Sequence, residues 1–314
     1  MILTDISALA QKLKNCRSAA ILTHAHPDGD TLGAGFGLCY YLRSVGIKAN
    51  VLNSEPFPEK FAFLYKDYEP QVFEPESVIS VDVAAQELLG EGLFGYADKI
   101  DLCIDHHFSN RMPARDSYVD GGSCAVCLII FELLKELGAE ITPQIACCLY
   151  TGIATDTGCF MFENTSPEAH RAAAALVEAG AKASEINREM FQVKSRGRLF
   201  AEQKAIGEMK FAGGGKIALI TVTNELIDGC GVDRAALDGF AGIPLSVEGV
   251  EIGITLKQQP KGVYKASVRT VSADASAIAK RFGGGGHIRA AGCTLTDDRE
   301  ESEKMITEAA AEFL

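Results

Sequence analysis

The first half of the chain alternates short apolar runs with longer segments of helical periodicity. A short apolar run bounded by turn-forming residues is typical of a buried strand, and apolar positions recurring every three to four residues predict a helix. The strands are predicted at residues 19–23, 49–52, 78–81 and 102–104, and the helices at residues 31–45, 123–137, 143–154 and 166–180. Alternating strands and helices predict βαβ units, and therefore a parallel sheet with helices on both faces.

The pattern changes after residue 186. Residues 187–204 contain five basic residues against only two glutamates, and we interpret this segment as the start of a helical linker. Beyond it, the pattern predicts strands at 216–223, 250–257 and 264–270, helices at 275–282 and 299–313, and a hairpin turn at the glycines 213–215. The predicted organisation is a large α/β domain (1–186), a helical linker (187–211) and a smaller α/β domain (212–314).

Composition limits the class of protein. Of the 314 residues, 47% are hydrophobic and 23% are charged, which is enough apolar material for two folded domains and argues against disorder. The formal net charge of −12 argues against binding to duplex DNA, because phosphate backbones are bound by basic surfaces. A local site for a small anion is still compatible with this charge, because bound metal ions could create one.

The ten cysteines do not suggest a disulfide framework. Cys103, Cys127, Cys147 and Cys148 lie within apolar stretches, where a thiol behaves as a small buried hydrophobe. This favours a reducing, cytoplasmic location. The N-terminus lacks a secretory pattern, and no run approaches the roughly 20 apolar residues of a membrane span, so we expect no membrane association.

Polar side chains follow three of the predicted strands. His24, Asp28 and Asp30 come after the first strand, Asp82 after the third, and the run Asp105-His106-His107 after the fourth. Ligands of open parallel sheets bind beyond the carboxyl ends of the strands, so these residues are expected in one crevice. A single aspartate there is commonly a turn residue or a helix cap, and a lone histidine is commonly no ligand. Turns do not need imidazoles, however, so the combination favours a functional site.

Three other motif interpretations fail. The sequence from Asp28 cannot be a calcium loop, because the fifth and twelfth positions are Leu32 and Cys39. The glycines at 33–37 resemble a dinucleotide loop, but Leu38 stands where the pattern needs glycine. The glycines before Lys216 lack the other residues of a phosphate-binding loop.

Oxygen ligands with a minority of imidazoles suit Mn²⁺ or a similar divalent ion. Asp156, just past a predicted helix, is a further acidic candidate. The six candidate ligands supply four negative charges and are His24, Asp28, Asp30, Asp82, His106 and Asp156. Two divalent ions would balance this charge, and a pair of metals about 3.5–4 Å apart can activate water and hold a phosphoryl group. The predicted cofactors are therefore two divalent metal ions, with Mn²⁺ expected.

These motifs resemble the DHH phosphoesterase superfamily. The resemblance rests on H-x-x-P-D-x-D at residues 24–30, V-D-V at 81–83, D-H-H at 105–107 and T-D-T-G at 155–158. GGGGH at 283–287, followed by AAG at 290–292, is similar to the substrate motif of a DHHA1 domain. The resemblance implies a two-domain, metal-dependent phosphodiesterase similar to the nanoRNases. Such an enzyme would cleave short linear 5′-phosphorylated oligonucleotides such as pApA and pGpG to mononucleotides, and pAp to AMP.

The resemblance also implies roles for individual residues. His24, Asp28 and Asp82 would hold one metal, and Asp82 would be shared with the second metal. Asp30, His106 and Asp156 would complete that second site. His107 would contact the scissile phosphate, and Asp105 would orient a ligand histidine. Apart from the resemblance, His26 is expected to be a bystander, because the motif leaves its position open.

In the smaller domain, the resemblance implies substrate binding by Arg269, His287 and the backbone of Gly284, Gly285 and Gly286. The N–H groups at the start of a following helix would add to this phosphate site. One departure concerns the segment CFMFENTS at residues 159–166, where many relatives are expected to have a basic residue. Alternatives with the same metal centre are a pyrophosphatase, a polyphosphatase or a cyclic-dinucleotide phosphodiesterase. The resemblance leaves a homodimer open.

Overall fold

The structure is a computed structural model. It describes residues 1–237, 239–259, 262–296 and 298–314. The chain divides into two compact units, unit 1 (Met1–Val193) and unit 2 (Lys194–Leu314).

Unit 1 contains a five-stranded parallel sheet. Its strands are β1 (Ser18–Leu22), β2 (Lys48–Leu52), β3 (Ser77–Val81), β4 (Leu102–Asp105) and β5 (Asp116–Val119). Their order in the sheet is β2-β1-β3-β4-β5, and every pair is parallel. The predicted parallel sheet is confirmed, and β5 is an edge strand that the apolar pattern did not indicate.

Alternate strand residues point to the two faces of this sheet. Ile79 and Ile104 belong to the large core cluster, whereas Val78 and Cys103 belong to a smaller cluster on the other face. The large core is covered by helices, and 3₁₀ turns at residues 86–96 cover the smaller one. The helices of unit 1 are α1 (Ile6–Lys14), α2 (Gly29–Ser44), α3 (Ala62–Tyr65), α4 (Val126–Glu136), α5 (Pro143–Asp156), α6 (Pro167–Glu178) and α7 (Ala183–Asn187).

The central helix of unit 1 explains the glycine run that resembled a dinucleotide loop. Gly33 and Gly37 lie within α2 and face α5: a Cβ atom on Gly33 would lie 2.4 Å from the carbonyl oxygen of Cys148. The glycines therefore allow two buried helices to approach closely, which places the start of α2 and the end of α5 beside the same sheet edge.

Unit 2 contains a six-stranded mixed sheet. Its strands are β6 (Lys210–Ala212), β7 (Ile217–Val222), β8 (Ile252–Gln258), β9 (Tyr264–Thr270), β10 (Gly285–His287) and β11 (Ala290–Leu295). Their order is β10-β11-β9-β8-β7-β6, and only β7 and β8 pair in parallel. Helices on its two faces complete the mixed α/β architecture expected of this half, namely α8 (Arg196–Gly207), α9 (Asn224–Cys230), α10 (Ala275–Lys280) and α11 (Arg299–Ala311).

The segment expected to be one helical linker is divided. A π-helical turn spans Arg188–Gln192, Val193 is extended, and Ser195 caps the start of α8. Ala201 and Ala205 of α8 are buried in a core cluster of unit 2, so this helix belongs to that unit. Three basic residues of the segment pair with acidic neighbours: Arg188 with Glu189, and both Lys194 and Arg198 with Glu202.

All ten cysteines are free thiols, and most are buried. Burial raises the pKa of Cys39 and Cys103 to about 11, so these thiols are poor nucleophiles at neutral pH. Among the residues that the structure describes, no helix combines the length and the apolar composition needed to cross a bilayer.

Candidate metal centre

The polar residues after β1, β3 and β4 lie together at the carboxyl edge of the sheet in unit 1. Because these three strands are neighbours, their ends meet at one place. The side chains form three overlapping groups whose ligand atoms lie within 4.8 Å of one another, namely His24–Asp28–Asp82, Asp30–His106–Asp156 and Asp82–His106–His107. All six candidate ligands are therefore brought together.

Two of the carboxylates also cap helices. Asp28 accepts hydrogen bonds from the backbone N–H groups of Asp30 (3.0 Å) and Thr31 (3.1 Å) at the start of α2. Asp30 is fully buried and accepts from Val126 (2.6 Å) and Cys127 (2.8 Å) at the start of α4. Helix N-termini stabilise negative charge, so the backbone itself helps to hold both carboxylates, the exposed one of Asp28 and the buried one of Asp30. The ordinary role of aspartate as a helix cap and the role of metal ligand are thus compatible here.

Backbone carbonyls orient the two candidate ligand histidines. The Nδ1 atom of His24 lies 2.8 Å from the carbonyl oxygen of Ala25, and that of His106 lies 3.1 Å from the carbonyl oxygen of Ser123. A carbonyl only accepts, so Nδ1 is the donor in each ring. In the neutral form of each ring, the Nε2 atom, which faces the carboxylates, carries the lone pair that a cation needs.

Asp82 lies at the centre of the cluster. Its Oδ2 atom is 3.6 Å from Nε2 of His24, and its Oδ1 atom is 3.7 Å from Nε2 of His106, so each oxygen faces one histidine. The residue is buried and has a φ of 60°, a left-handed conformation that costs a residue other than glycine of order 1–3 kcal/mol. The buried Oδ1 atom has no hydrogen-bond partner. An unpartnered buried carboxylate oxygen between two imidazoles fits a shared divalent cation.

The electrostatics of the cluster also favour cations. Burial, followed by the charge of Asp30, raises the pKa of Asp82 to about 8. Burial and the charges of Asp30 and Asp82 raise the pKa of Asp156 to about 10. Burial lowers the pKa of His24, but hydrogen bonds to Asp28 and Asp82 raise it to about 11 overall. The carboxylates thus repel one another and attract positive charge, which divalent ions would supply.

The residue that Asp105 orients is His107, whereas a ligand histidine was expected. Asp105 Oδ1 lies 2.8 Å from Nδ1 of His107, and Asn110 donates a hydrogen bond to Oδ2 of the same aspartate. The hydrogen bond to Asp105 is the largest cause of a raised pKa for His107, so its charged form is favoured. His107 also lies 3.6 Å from Asp82, close enough to the cluster to meet a bound substrate.

Asp156 is the last residue of α5, not a residue beyond the helix. The next turn is left-handed at Gly158, Cys159 and Phe160, and Asn164 donates to the carbonyl oxygen of Asp156 (3.1 Å). The T-D-T-G motif at residues 155–158 therefore ends α5 at the cluster, and the chain then turns away from the cluster.

Several supporting residues could not be predicted from the sequence. Thr31 donates to the carbonyl oxygen of Val81 (3.1 Å) and Asn53 to that of His24 (2.6 Å), which links the strand ends. Each is a single polar residue in a loop or first helical turn, with no spacing that would distinguish it. His26 is exposed and lies beside Glu55 rather than in the cluster.

The candidate substrate residues of unit 2 lie on the β9–β11–β10 side of its sheet. Arg269 and His287 both pair with Ala290 of β11, from opposite sides, so the two side chains share one face of the sheet. Arg269 is half-buried, and burial lowers its pKa. Gly284 precedes β10, which contains Gly285, Gly286 and His287.

The helix expected after these glycines is absent from this part of the described chain. The glycines follow α10 and lead into the β10–β11 hairpin, so no helix start can supply N–H groups there. Gly286 has a φ of 144°, and a Cβ atom on Gly284 would lie 2.2 Å from the carbonyl oxygen of Gly292. Close strand pairing thus requires glycine at positions 284 and 286, and a motif of repeated glycine does not reveal which of its members are needed for this.

A parallel α/β sheet that ends in this carboxylate and imidazole cluster defines a metal-dependent hydrolase. Comparison with known families is consistent with this class. The DHH family, N-terminal domain, matches residues 18–153, and the DHHA1 domain matches residues 205–314. The chain belongs to the DHH family of phosphoesterases.

Relatives extend over nearly the whole chain. The bifunctional oligoribonuclease and PAP phosphatase NrnA of Thermus thermophilus is 33% identical, over 94% of this chain and 89% of the relative. The protein of the same name from Bacillus subtilis is 24% identical, over 91% of each chain. The crystal structure of an exopolyphosphatase-related protein from Bacteroides fragilis has a TM-score of 0.87 at 24% identity, covering 98% of this chain and 96% of that one. This last likeness concerns the fold.

Proposed function

We propose that this protein is a phosphodiesterase that uses two divalent ions to hydrolyse short linear 5′-phosphorylated oligonucleotides to mononucleotides. The observation that carries the proposal is the position of Asp82, whose two oxygens face His24 and His106 in two different ligand groups. A carboxylate shared between two ligand groups fits a pair of adjacent cations.

The ligand assignment follows the groups. His24, Asp28 and Asp82 would hold one ion, and Asp82 would be shared with a second ion held by Asp30, His106 and Asp156. Two such ions supply, when bound, a water of lowered pKa and charge neutralisation for the phosphoryl oxygens. Mn²⁺ suits this mixture of carboxylates and imidazoles.

The other residues of the centre act on the substrate. His107 is held by Asp105 with its Nε2 edge free to donate a hydrogen bond to a phosphoryl oxygen. Such a donor stabilises charge that develops in the transition state, and removing one typically costs about 10²–10³ in rate. Asn110 positions Asp105, and through it His107.

We propose that residues 212–314 bind the substrate and that residues 1–186 carry out catalysis. Arg269 and His287, on one face of the sheet in unit 2, would form charge-assisted hydrogen bonds with a terminal phosphate or base. Gly285 can be approached closely by a ligand, because nothing lies within 4 Å of the position that its Cβ atom would occupy. In this proposal the accessible backbone at Gly285 contacts the substrate, in place of the N–H groups at a helix start that were expected from the sequence.

A second activity, removal of the 3′-phosphate of pAp, is proposed for the same centre. The support is that the relatives from Thermus thermophilus and Bacillus subtilis are named for both activities and align over at least nine-tenths of this chain. In both reactions water attacks a phosphorus atom and the bond to a 3′-oxygen breaks, transferring an adenylyl group from pApA and a phosphoryl group from pAp, so the same pair of ions would serve both.

The test is product analysis with Mn²⁺ on pApA, pAp, a twelve-nucleotide RNA and pyrophosphate, side by side. We expect AMP from pApA and from pAp, slower cleavage of the long RNA, and no phosphate from pyrophosphate. Pyrophosphate as the best substrate would replace this proposal with the pyrophosphatase alternative, and full activity in excess chelator would contradict the metal centre.

Two variants assign the roles within that test. Asp82→Asn should abolish turnover and lower the bound metal, because it removes the shared charge. His107→Ala should lose about 10²–10³ in turnover while it retains its metal. Elemental analysis of both variants is the measurement, and the loss of one metal equivalent in His107→Ala would make His107 a ligand instead.

A further inference from the structure

A fully exposed aromatic side chain lies next to the candidate metal centre. Phe108 directly follows His107 and is 93% exposed. Burying a phenylalanine is worth about 1.5–3 kcal/mol, so folding gains almost nothing from this ring. An exposed ring at this position therefore has no explanation in the stability of unit 1.

The turn that carries Phe108 is held firmly to the centre. The N–H of Asn110 donates to the carbonyl oxygen of His107 (3.0 Å), and the Asn110 side chain donates to Asp105. One edge of the ring lies over Gly121, where a Cβ atom would lie 2.6 Å from Phe108 Cδ2. The ring is thus supported from below and open to solvent on its other side.

A second apolar turn follows another metal-ligand candidate. Met161 is 77% exposed and Phe162 is 58% exposed, five and six residues after Asp156. The Phe162 ring lies over Gly158, where a Cβ atom would lie 2.3 Å from it. Asn164 ties this turn to Asp156 and also donates to the carbonyl oxygen of Cys124 (3.3 Å).

The segment from Asp120 to Cys124 connects the two turns. It contains Gly121, under the ring of Phe108, and Cys124, whose carbonyl oxygen accepts from Asn164. Its Ser123 also holds the ring of His106. The segment from Asp120 to Cys124 therefore contacts both exposed turns and a candidate metal ligand. We call the three exposed side chains of these turns the apolar rim, namely Phe108, Met161 and Phe162.

We propose that the apolar rim contacts a nucleobase of the nucleotides joined at the scissile phosphate. This inference rests on the proposed function. A phosphodiester bound at the metals carries a nucleoside on either side, and each base offers a flat π-face that stacks on aromatic side chains whatever its sequence. Met161 stands in the segment where a basic residue was expected, so the chain offers apolar contact there in place of a charge.

The rim gives the site a selectivity that metals alone lack. Pyrophosphate and polyphosphate present the same oxygens to the cations but have no base to stack. A nucleobase contact would thus favour nucleotides over inorganic phosphoanhydrides at one and the same metal centre.

The test compares pApA with two analogues that each lack one adenine, using Phe108→Ala, Phe108→Tyr and a control, Phe211→Ala. Phe211 is 55% exposed on β6 of unit 2, so Phe211→Ala also removes an exposed phenylalanine ring and serves as the control. We expect Phe108→Ala to lower kcat/KM for pApA about 10-fold, the size of one stacking contact. It should leave one of the two analogues unaffected, with metal content and Tm unchanged.

Phe108→Tyr should restore the activity, since it keeps the ring, and Phe211→Ala should behave as wild type. Equal losses for pApA and both analogues, or no loss at all, would overturn the rim proposal while leaving the phosphodiesterase in place. A wild-type protein that cleaves neither pApA nor the analogues would overturn the proposed function, and the rim with it. A Phe108→Ala effect on sedimentation alone would identify a contact between protein chains instead.

Discussion

At the scale of single residues, the carboxylates of the centre combine structural roles with the geometry of metal ligands. Asp28 and Asp30 cap helices while they face the cluster, and Asp82 adopts a left-handed backbone in a buried position. The burial, the left-handed backbone and the unpartnered oxygen of Asp82 place negative charge where folding alone would not favour it. Strain and charge crowding of this kind are characteristic of functional sites.

The charge of Asp82 should therefore lower the stability of the metal-free protein. Asp82→Asn keeps the shape and removes the charge, so in excess chelator at pH 8 we expect its Tm to rise by about 2–4 °C, a usual gain when a functional constraint is removed. Differential scanning calorimetry gives the measurement.

A matched control for this change is Asp116→Asn. Asp116 is also buried, but it pairs with Lys12 at 2.7 Å, so its variant should melt below wild type. An Asp82→Asn protein that melts below wild type in chelator would show that the carboxylate stabilises the fold without metal, against the crowding described above.

At the scale of elements, the glycines of the β10–β11 hairpin differ in whether the fold itself requires them. A Cβ atom on Gly284 would lie 2.5 Å from Cβ of Cys293, and on Gly286 it would lie 2.6 Å from the carbonyl oxygen of Ala290. Gly285 has open space instead. Three adjacent glycines thus carry different constraints.

Gly284→Ala and Gly286→Ala should each lower the free energy of unfolding by about 1–3 kcal/mol, as overpacked sites do. Gly285→Ala should fold as wild type, yet raise KM for pApA if a substrate approaches that backbone. Denaturant unfolding and steady-state kinetics on the three variants are the measurements. An unchanged KM for Gly285→Ala would remove this glycine from the substrate site.

Glu303 anchors α11 to the sheet of unit 2. Burial favours its neutral form, but hydrogen bonds from Lys210, Thr221 and Arg299 outweigh this and lower its pKa below the ordinary 4.5. The bonds stabilise the folded state fully above pH 4.5, and this stability is lost as the pH falls through the lowered folded-state pKa.

Glu303→Gln should therefore cost about 1–3 kcal/mol at pH 7 and progressively less below pH 4.5. Glu308→Gln, an exposed change on the same helix, should cost little at any pH. Urea unfolding across pH 3–7 measures both variants. A Glu303→Gln penalty that grows on acidification would contradict the assigned direction.

The sequence predicted the elements that bury continuous apolar runs. β1, β3 and β4 lie within one or two residues of their predicted positions, because each run is buried on both faces. Four strands were missed, namely β5, β6, β10 and β11, and two of them show a clear physical reason. β5 is a half-exposed edge strand, and β10 is made of two glycines and a histidine, so neither has an apolar pattern.

The ligand candidates of the site could be predicted from the sequence, but the residues that position them could not. Its ligand candidates follow buried runs, and topology then brings them together. The residues that position them, such as Asn53, Asn110 and Asn164, act through single bonds to backbone or carboxylate oxygens. Asparagine is common in loops, so the positions of these residues in the sequence do not predict their contacts.

At the scale of the whole molecule, charge should govern the choice of substrate length. The net charge of −12 repels a polyanion, and each added nucleotide brings a further phosphate. Dinucleotides experience this repulsion least. The molecule as a whole therefore favours short substrates, independently of any contact in unit 2.

We expect kcat/KM for pApA to exceed that for a twelve-nucleotide RNA, and the ratio to narrow as salt rises from about 50 to about 200 mM, because the Debye length shortens. Kinetics at both salt concentrations, with Mn²⁺ held constant, measure the ratio. A preference for the longer RNA, or a ratio that widens with salt, would contradict a repulsive whole-molecule field.

The order of the candidate ligands along the chain has a consequence during translation. The last of them, Asp156, comes near the midpoint of the 314 residues, before any residue of unit 2. At about 5–20 residues per second, the ribosome needs roughly 8–32 s more to reach residue 314. During that interval the nascent protein already carries a crowded set of acidic side chains. The supply of divalent ions around the ribosome would therefore influence how well newly made chains fold, long before any of them meets a substrate.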